Sequence, residues 1–319
     1  HMPKTKPKAC NYGLFFCKGI YLTIYDAEDV PDSDQLKKVV ALFRKLPKDY
    51  VVLQGALNYF NKNENLLTRM FTLEYSYWFD YMLPGLQSLD VPIPLGGTSN
   101  HFKLDKLKEL GGWDPFNVTE DADLGVRVFE KRYKVGVVNS TTLEEANNEP
   151  FNWIRQRSRW IKGYMQTLLV HMRNPVRLVN KIGWRGFFGF NFFVGFTPIT
   201  FLLYPVLLGF YIIYIIFDLQ IVRVLFPDWV LYISIFNFVA GNTLMIYVNM
   251  LAVFKRRFYE LILFALVNPF YWLMHSIAAY KGLWQLIYKP FYWEKTNHGL
   301  TKMSHSSSAA AAANANEVK

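Results

Sequence analysis

The chain has 319 residues, a formal net charge of +10, 52% hydrophobic residues and 18% aromatic residues. So apolar and aromatic a composition excludes an ordinary soluble domain, and Cys10 and Cys17 are too few to build a disulfide framework. The positive charge is assigned to loops flanking membrane segments, such as Lys255–Arg257 after an apolar run, and not to nucleic acid; an anionic phosphorylated substrate is compatible with it.

Up to about residue 180 the sequence reads as a soluble α/β unit, and from Gly183 to Tyr288 as membrane. His1–Met2 reads either as a cloning scar or as native sequence. The "GIYLTIYDAEDVPD" stretch predicts a buried strand over Tyr21–Tyr25, ending in an acidic turn closed by Pro31. Helical spacing follows in "SDQLKKVVALFRKL", with Ser33 or Asp34 as N-cap, and "YVVLQGALNYF" is a second strand. A long aromatic helix covers "NLLTRMFTLEYSYWFDYMLPGLQSL". "IPLGGTSNHFKLDKLKELGGW" reads as strand, Gly-rich turn and short helix. In "FNVTEDADLGVRVFEKR", Thr119 is placed to cap a helix whose first turn holds Glu120, Asp121 and Asp123. "KVGVVNSTTLEEA" is a further strand. This alternation predicts a mostly parallel sheet with functional loops at strand C-terminal ends.

Pro150 opens an amphipathic helix, "FNWIRQRSRWIKGYMQTLLVHMRN", which suits either a membrane surface or ordinary packing. Residues 151–183 are taken as interface helices. Two segments are long enough to cross a bilayer of about 30 Å: one within Phe187–Phe217, broken by Gly195 and Pro198, and one over Trp229–Phe254. A third apolar stretch, Phe258–Tyr288, carries Glu260, His275 and Lys281 and reads as interfacial or re-entrant, with a third span as the rival. Two spans return "YWEKTNHG" to the side of the soluble unit, whereas three send it to the other side. Residues 301–319 read as a low-complexity, disordered tail.

Carboxylates at the C-terminal end of a strand, as in "YDAEDVPD", suit a divalent cation held against a diphosphate, although an acidic surface loop has the same composition. In "RQRSRW", Gln156, Arg159 and Trp160 share one helical face and offer an amide, a guanidinium and an indole. The alternative for that face is a membrane-interface anchor.

In that order, "YDAED", "TED" and "QRSRW" followed by membrane segments resemble the family 2 inverting glycosyltransferases, including bacterial cellulose synthase and related processive β-glycosyltransferases, over roughly residues 3 to 300. The resemblance implies an α/β fold, the C-terminal part of a GT-A domain (a Rossmann-like nucleotide-diphospho-sugar transferase fold), followed by transmembrane and interface helices. It implies Asp121 as general base with Glu120 beside it, and Lys8, Asp26, Arg159, Trp293 and Thr296 at the donor. Gln156 and Trp160 belong with the acceptor, and Glu28, with Asp26 and Asp29, with Mg²⁺ or Mn²⁺. "YWEKTNHG" is similar to the gating loop of cellulose synthase, with Trp293, Thr296 and Gly299 at matching positions and His298 in place of a lysine.

Glu28 replaces the second Asp of the family's D-x-D. The family's first Asp lies upstream of anything present, so the chain is expected to be the C-terminal part of a longer enzyme. The implied activity is transfer of a hexose, taken as glucose, from a UDP-sugar to a growing polysaccharide. Its setting is a multi-pass protein of the bacterial inner membrane with the catalytic domain cytoplasmic, and membrane lipid and export subunits as partners. The alternatives are single-sugar transfer to a lipid or other acceptor, and an inactive fragment or scaffold subunit. A transporter reading finds neither an internal repeat nor a charged intramembrane pathway.

Overall fold

The structure, a computed structural model, describes residues 5–217, 227–297, 299 and 301. The chain opens on α1 (Lys6–Leu14), with Pro7 in its first turn, where a missing amide costs nothing. Asn11 pins this helix to a distant loop: its Nδ2 donates to the Trp113 carbonyl at 2.6 Å and its Oδ1 accepts from the Trp113 N–H at 2.9 Å. Next come β1 (Tyr21–Ile24), β2 (Val30–Pro31), α2 (Gln35–Lys45) and β3 (Tyr50–Tyr59). The near-continuous burial of β3 fits a central strand covered on both faces.

α3 (Leu66–Tyr77) starts on a capping box, in which Asn65 and Thr68 each accept the other's backbone N–H at 3.0 Å. A π-helical turn, Trp78–Met82, joins it to α4 (Leu83–Leu89) beside Pro84. β4 (Asn100–Lys103), α5 (Leu104–Glu109), α6 (Glu120–Glu130) and β5 (Lys134–Glu144) complete the soluble unit.

The five strands lie in the order β1-β4-β3-β5-β2. Only the β3–β5 pair is parallel, and the other three pairs are antiparallel, so the mostly parallel sheet expected from sequence is corrected to a mixed one. The connection after β3 explains this. The helical stretch α3–α4 carries the chain back along the sheet, placing Asp90 3.9 Å from Lys134, where β5 begins. Residues 91–99 then return as far as the middle of β3, where the Ser99 carbonyl accepts the Gly55 N–H at 2.9 Å, so β4 enters in the opposite sense. The expected strand over Ile93–Leu95 is part of that return, and the paired strand follows the Gly96–Gly97 turn.

Beyond the sheet, α7 (Pro150–His171) leads to α8 (Pro175–Phe190), which bends at Gly183 (φ 69°). A π-helical turn, Asn191–Gly195, runs into α9 (Phe196–Phe217), so the segment continues past Gly195, and Pro198 falls harmlessly in the first turn. α10 (Asp228–Lys255) is followed by a 3₁₀ segment, Tyr259–Val267, and α11 (Asn268–Tyr288). Among the described residues three segments are long and apolar enough to cross a membrane: Pro175–Tyr214, Asp228–Lys255 and Tyr259–Tyr288. Their apolar windows are 6%, 0% and 39% buried within the protein, which sets the third apart as a segment that packs on the chain itself.

One core lies between the sheet and α6, through Val52, Leu57, Phe102, Leu124 and Val128. A second joins α3, α7 and α11 through Phe71, Trp153, Tyr271 and Ala278. Two close approaches on α7 have no room for a side chain. A Cβ on Gly163 would lie 2.2 Å from the Thr119 hydroxyl, and one on Gly282 of α11 would lie 2.8 Å from the Ser158 carbonyl. Gly163→Val should therefore push the start of α6 off α7 and cost about 1–3 kcal/mol of stability, read as a lowered Tm. Gly85→Ala, where nothing lies within 4 Å of an added Cβ, is the control expected to leave Tm unchanged or slightly raised. Equal melting of the two variants would dismiss the Gly163 contact as unimportant.

Candidate active site

The acidic loop after β1 is held by its own backbone. The Asp26 N–H donates to Asp29 Oδ2 at 2.8 Å and to Thr98 Oγ1 at 3.1 Å, and the Thr98 hydroxyl also bonds Asp29 Oδ2. The Asp26 carboxylate pairs with Lys6 Nζ, which donates as well to the Gly97 carbonyl at 2.9 Å. Burial acts to lower the Lys6 pKa, but Asp26, Glu120 and Asp121 together outweigh it and the ammonium is held above its ordinary value. Lys6, two residues before the Lys8 expected from sequence, thus pairs with the acidic loop; Lys8 lies half-buried two residues along α1.

On the other side of the Gly96–Gly97 turn stands the start of α6. The expected side-chain cap by Thr119 is absent. Instead Asn117 Oδ1 accepts the Thr119 N–H at 3.0 Å, and the Thr119 side chain fills the space left by Gly163. Asp121 Oδ1 accepts the Ala122 N–H at 2.8 Å, while its Oδ2 comes to 3.4 Å of where a Gly97 Cβ would lie. Burial raises the Asp121 pKa against the pull of that amide, Lys6 and Arg159. Glu120 is raised by burial and by the adjacent Asp121. Arg159 is lowered by burial, with Glu120, Asp121 and Asp26 acting the other way. Five acids and bases, Lys6 of α1, Asp26 of the β1 loop, Glu120 and Asp121 of α6 and Arg159 of α7, thus feel one another across one space.

The third first-turn acid, Asp123, points behind the helix. It accepts from Arg127 Nε at 2.7 Å and from His171 Nε2 at 2.9 Å, and His171 Nδ1 reaches Glu130 at 3.0 Å. Burial opposes a charge on His171, but the two carboxylates raise its pKa to about 9.

α7 distributes its motif over several directions. The Arg159 guanidinium sits 4.6 Å from the Trp293 ring centroid. Gln156 accepts from Asn147 Nδ2 at 2.8 Å, and Asn147 in turn is bonded by Asn152. Asn152 exchanges hydrogen bonds with the Asn297 backbone, at 2.8 and 3.0 Å, next to Thr296. Trp160 faces Phe71 and Tyr75 of α3 at centroid distances of 6.2 and 6.4 Å. Arg157, which sequence reasoning passed over, makes a bidentate pair with Glu74, with Nη1 at 2.7 Å from Oε1, and lies over the Phe71 and Trp160 rings at 4.3 and 4.5 Å. Burial disfavours the Glu74 charge, yet Arg157, His275 and Tyr271 hold its pKa down to about 2.

Residues 290–297 cross over α7. Lys162 Nζ donates to the Tyr292 carbonyl at 2.7 Å and Gln166 to that of Pro290 at 2.9 Å, and the Gly299 N–H bonds Glu145. His298 and residues 302–319 lie outside the described residues.

The group the resemblance implies beside Asp26 is a divalent cation. Asp26, Glu28 and Asp29 supply the hard oxygens such an ion takes, and Asp29 Oδ1 is buried with no hydrogen-bond partner. Glu144, at the end of β5 and unnoticed in the sequence, also has a buried unpartnered oxygen; burial, then Asp29 and Asp26, push its pKa far up. Among the described residues no group of three or more His, Cys, Asp or Glu side chains is arranged to hold a metal ion by itself, so phosphate and water oxygens would have to complete its shell. The residues present fit the group.

Residues 21–293 match the family described as Glycosyl transferase family group 2. The chain belongs to that family. Over 180 residues this glycosyltransferase family member is 27% identical to "Probable glycosyltransferase YdaM" of Bacillus subtilis, covering 56% of this chain and 42% of that protein. It is 26% identical over 166 residues to "Glucomannan 4-beta-mannosyltransferase 7" of Arabidopsis thaliana, covering 52% of this chain and 30% of the relative. A rice protein, "Probable glucomannan 4-beta-mannosyltransferase 9", is 28% identical over 144 residues, covering 45% and 27%. The match thus spans less than half the length of each of these relatives.

Two outcomes follow from the ion pairs. Arg157→Met should destabilise the protein by about 3 kcal/mol or more, because Glu74 is left charged without its partner, and the double variant with Glu74→Leu should recover much of that; equal losses in single and double variants would dismiss the pair. The His171 pKa is raised, so its stabilisation is complete below the ordinary histidine value of about 6.5 and is lost as pH rises through about 9. Unfolding measured across that window should show a decline that His171→Gln abolishes.

Proposed function

We propose that this chain is the catalytic part of a membrane-embedded inverting hexosyltransferase that carries glucose from a UDP-sugar to a growing polysaccharide. The observation that carries the reading is the convergence of Asp121 with Lys6, Asp26 and Arg159 across the Gly97 turn. Two cations on opposite sides of one acidic loop suit a diphosphate leaving group. A divalent cation bound by Glu28, Asp26 and Asp29 would add charge neutralisation on that diphosphate. Arg159, kept in place by the Trp293 ring, would meet the pyrophosphate, and Asp26 the nucleotide sugar. Asp121 takes the proton from the acceptor hydroxyl as its oxygen bonds the anomeric carbon and the bond to the diphosphate breaks on the opposite face. Burial around Asp121 strengthens it as a base at neutral pH.

We place α9 and α10 across the bilayer and keep the Tyr259–Tyr288 segment against the soluble unit, at the cytoplasmic face of a bacterial plasma membrane. The contacts of Lys162 with Tyr292 and of Asn152 with Asn297 support two crossings, since they hold residues 290–297 on α7. Mannose is a second reading for the hexose, favoured by the mannosyltransferase names of the plant relatives. Their polymer-making names also favour extension of a chain over single-sugar transfer.

In the full-length protein, Asp121→Asn should lower transfer by 10²-fold or more while leaving donor affinity within a few-fold. Near-normal transfer by that variant would remove Asp121 as the base. Because the Asp121 pKa is raised, the acid limb of kcat/KM should lie above the ordinary aspartate value of about 3.9, with activity lost as pH falls through it. Titrating nucleoside-diphosphate glucose, N-acetylglucosamine and mannose, with Mg²⁺, Mn²⁺ or chelator, assigns donor and ion; product length on a labelled acceptor separates polymer from single transfer.

A further inference from the structure

Behind α6, on the side away from Asp121, the protein walls a cavity of about 550 Å³ between α6, the Trp113–Pro115 loop, the end of α7 and the start of α8. Its inner charges are already matched. Arg127 and His171 satisfy Asp123, while His171 and Lys181 satisfy Glu130. Asp114 on the loop accepts the Phe116 N–H at 2.9 Å. Arg173 and Arg177 remain on the rim, exposed, and neither side chain has a hydrogen-bond or ion-pair partner among the described residues. A cavity of this size edged by two unmatched guanidiniums is built for an anion with several oxygens.

Its position identifies the source. Arg177 and Lys181 lie on the first half of α8, before the bend at Gly183, and the second half runs into the apolar segment that ends at Tyr214. Val176, Trp184 and Phe188 on the same helix are 69%, 65% and 54% exposed. Basic side chains next to an exposed tryptophan and phenylalanine, at the start of a membrane-length segment, are the composition of the headgroup layer.

We propose that this cavity binds the phosphate of an anionic phospholipid headgroup through Arg173 and Arg177. Such a lipid touches α6, α7 and α8 together, so that membrane composition bears on the helix whose first turn carries Asp121.

The test uses the full-length protein in nanodiscs of phosphatidylcholine with or without phosphatidylglycerol, and counts retained lipids by native mass spectrometry. Wild type should retain phosphatidylglycerol over phosphatidylcholine roughly tenfold or more. Arg173→Gln/Arg177→Gln should lose that enrichment with an unchanged Tm, and Arg173→Lys/Arg177→Lys should keep most of it. Equal enrichment in wild type and the Gln variant, or none in wild type, overturns the proposal. So does binding of inorganic phosphate in phosphatidylcholine-only discs, lost in the Gln variant, without any enrichment of phosphatidylglycerol; that result assigns the cavity to a soluble anion.

Discussion

The Arg157–Glu74 pair, closed inside a box of aromatic rings, is the interaction on which the rest of the arrangement hangs. Arg157 lies between Phe71, Trp153 and Trp160, and Glu74 also receives the Tyr271 hydroxyl at 3.0 Å. Three helices, α3, α7 and α11, therefore meet at one part-buried ion pair. The Arg157 charge is buried, so it would be costly there without Glu74, and the helices must come together or leave it unmatched. Trp153 joins the same knot through its indole N–H, 3.2 Å from the Tyr271 oxygen.

That knot accounts for the third apolar segment. Glu260, His275 and Lys281 look misplaced in a membrane-length run, yet Glu260 and His275 face the soluble unit and Lys281 the segment that crosses α7. Glu260 pairs with Lys62, His275 lies 3.9 Å from Glu74, and Lys281 meets Glu294 at 2.8 Å. With α11 bound to α7, residues 290–297 have little choice but to cross the motif helix. Trp293 is thereby laid on Arg159, and Asn297 on the Asn152 network that reaches Gln156.

The first turn of α6 shows how position decides the chemistry of like residues. Glu120 and Asp121 face the space shared with Lys6 and Arg159 but make no direct ion pair among the described residues, so burial dominates and their pKa values rise. Asp123, on the other side of the same helix, has Arg127 and His171 in direct contact and its pKa falls. The helix is thus reactive on one side and cross-linked to α7 on the other. The carboxylates gain proton affinity where they are buried without a cation in direct contact and lose it where cations hold the fold.

Local pattern, by itself, determined the elements: the strands β1 and β3, the helical spacing of α2 and α6, and the apolar lengths of α9 and α10 follow from period and composition over a few residues, although β1, expected to be buried, is only half-buried. The order of "YDAED", "TED" and "QRSRW" likewise determined the family and drew attention to Asp26, Asp121 and Arg159. Strand direction was not legible, because it depends on whether the connection traverses the sheet once or, as over residues 60–99, twice. Nor was the pairing of Lys6 with Asp26, since two lysines separated by one residue look alike until α1 is pinned by Asn11 to Trp113. Glu74, Thr98 and Glu144 belong to no motif, and only tertiary packing brings them to the site. Sequence period is a local property of the backbone, whereas pairing of buried charges is settled by which distant segments share a low-dielectric interior; that is why the structure alone decided the clamp, the course of residues 290–297 and the split in fate of the α6 acids.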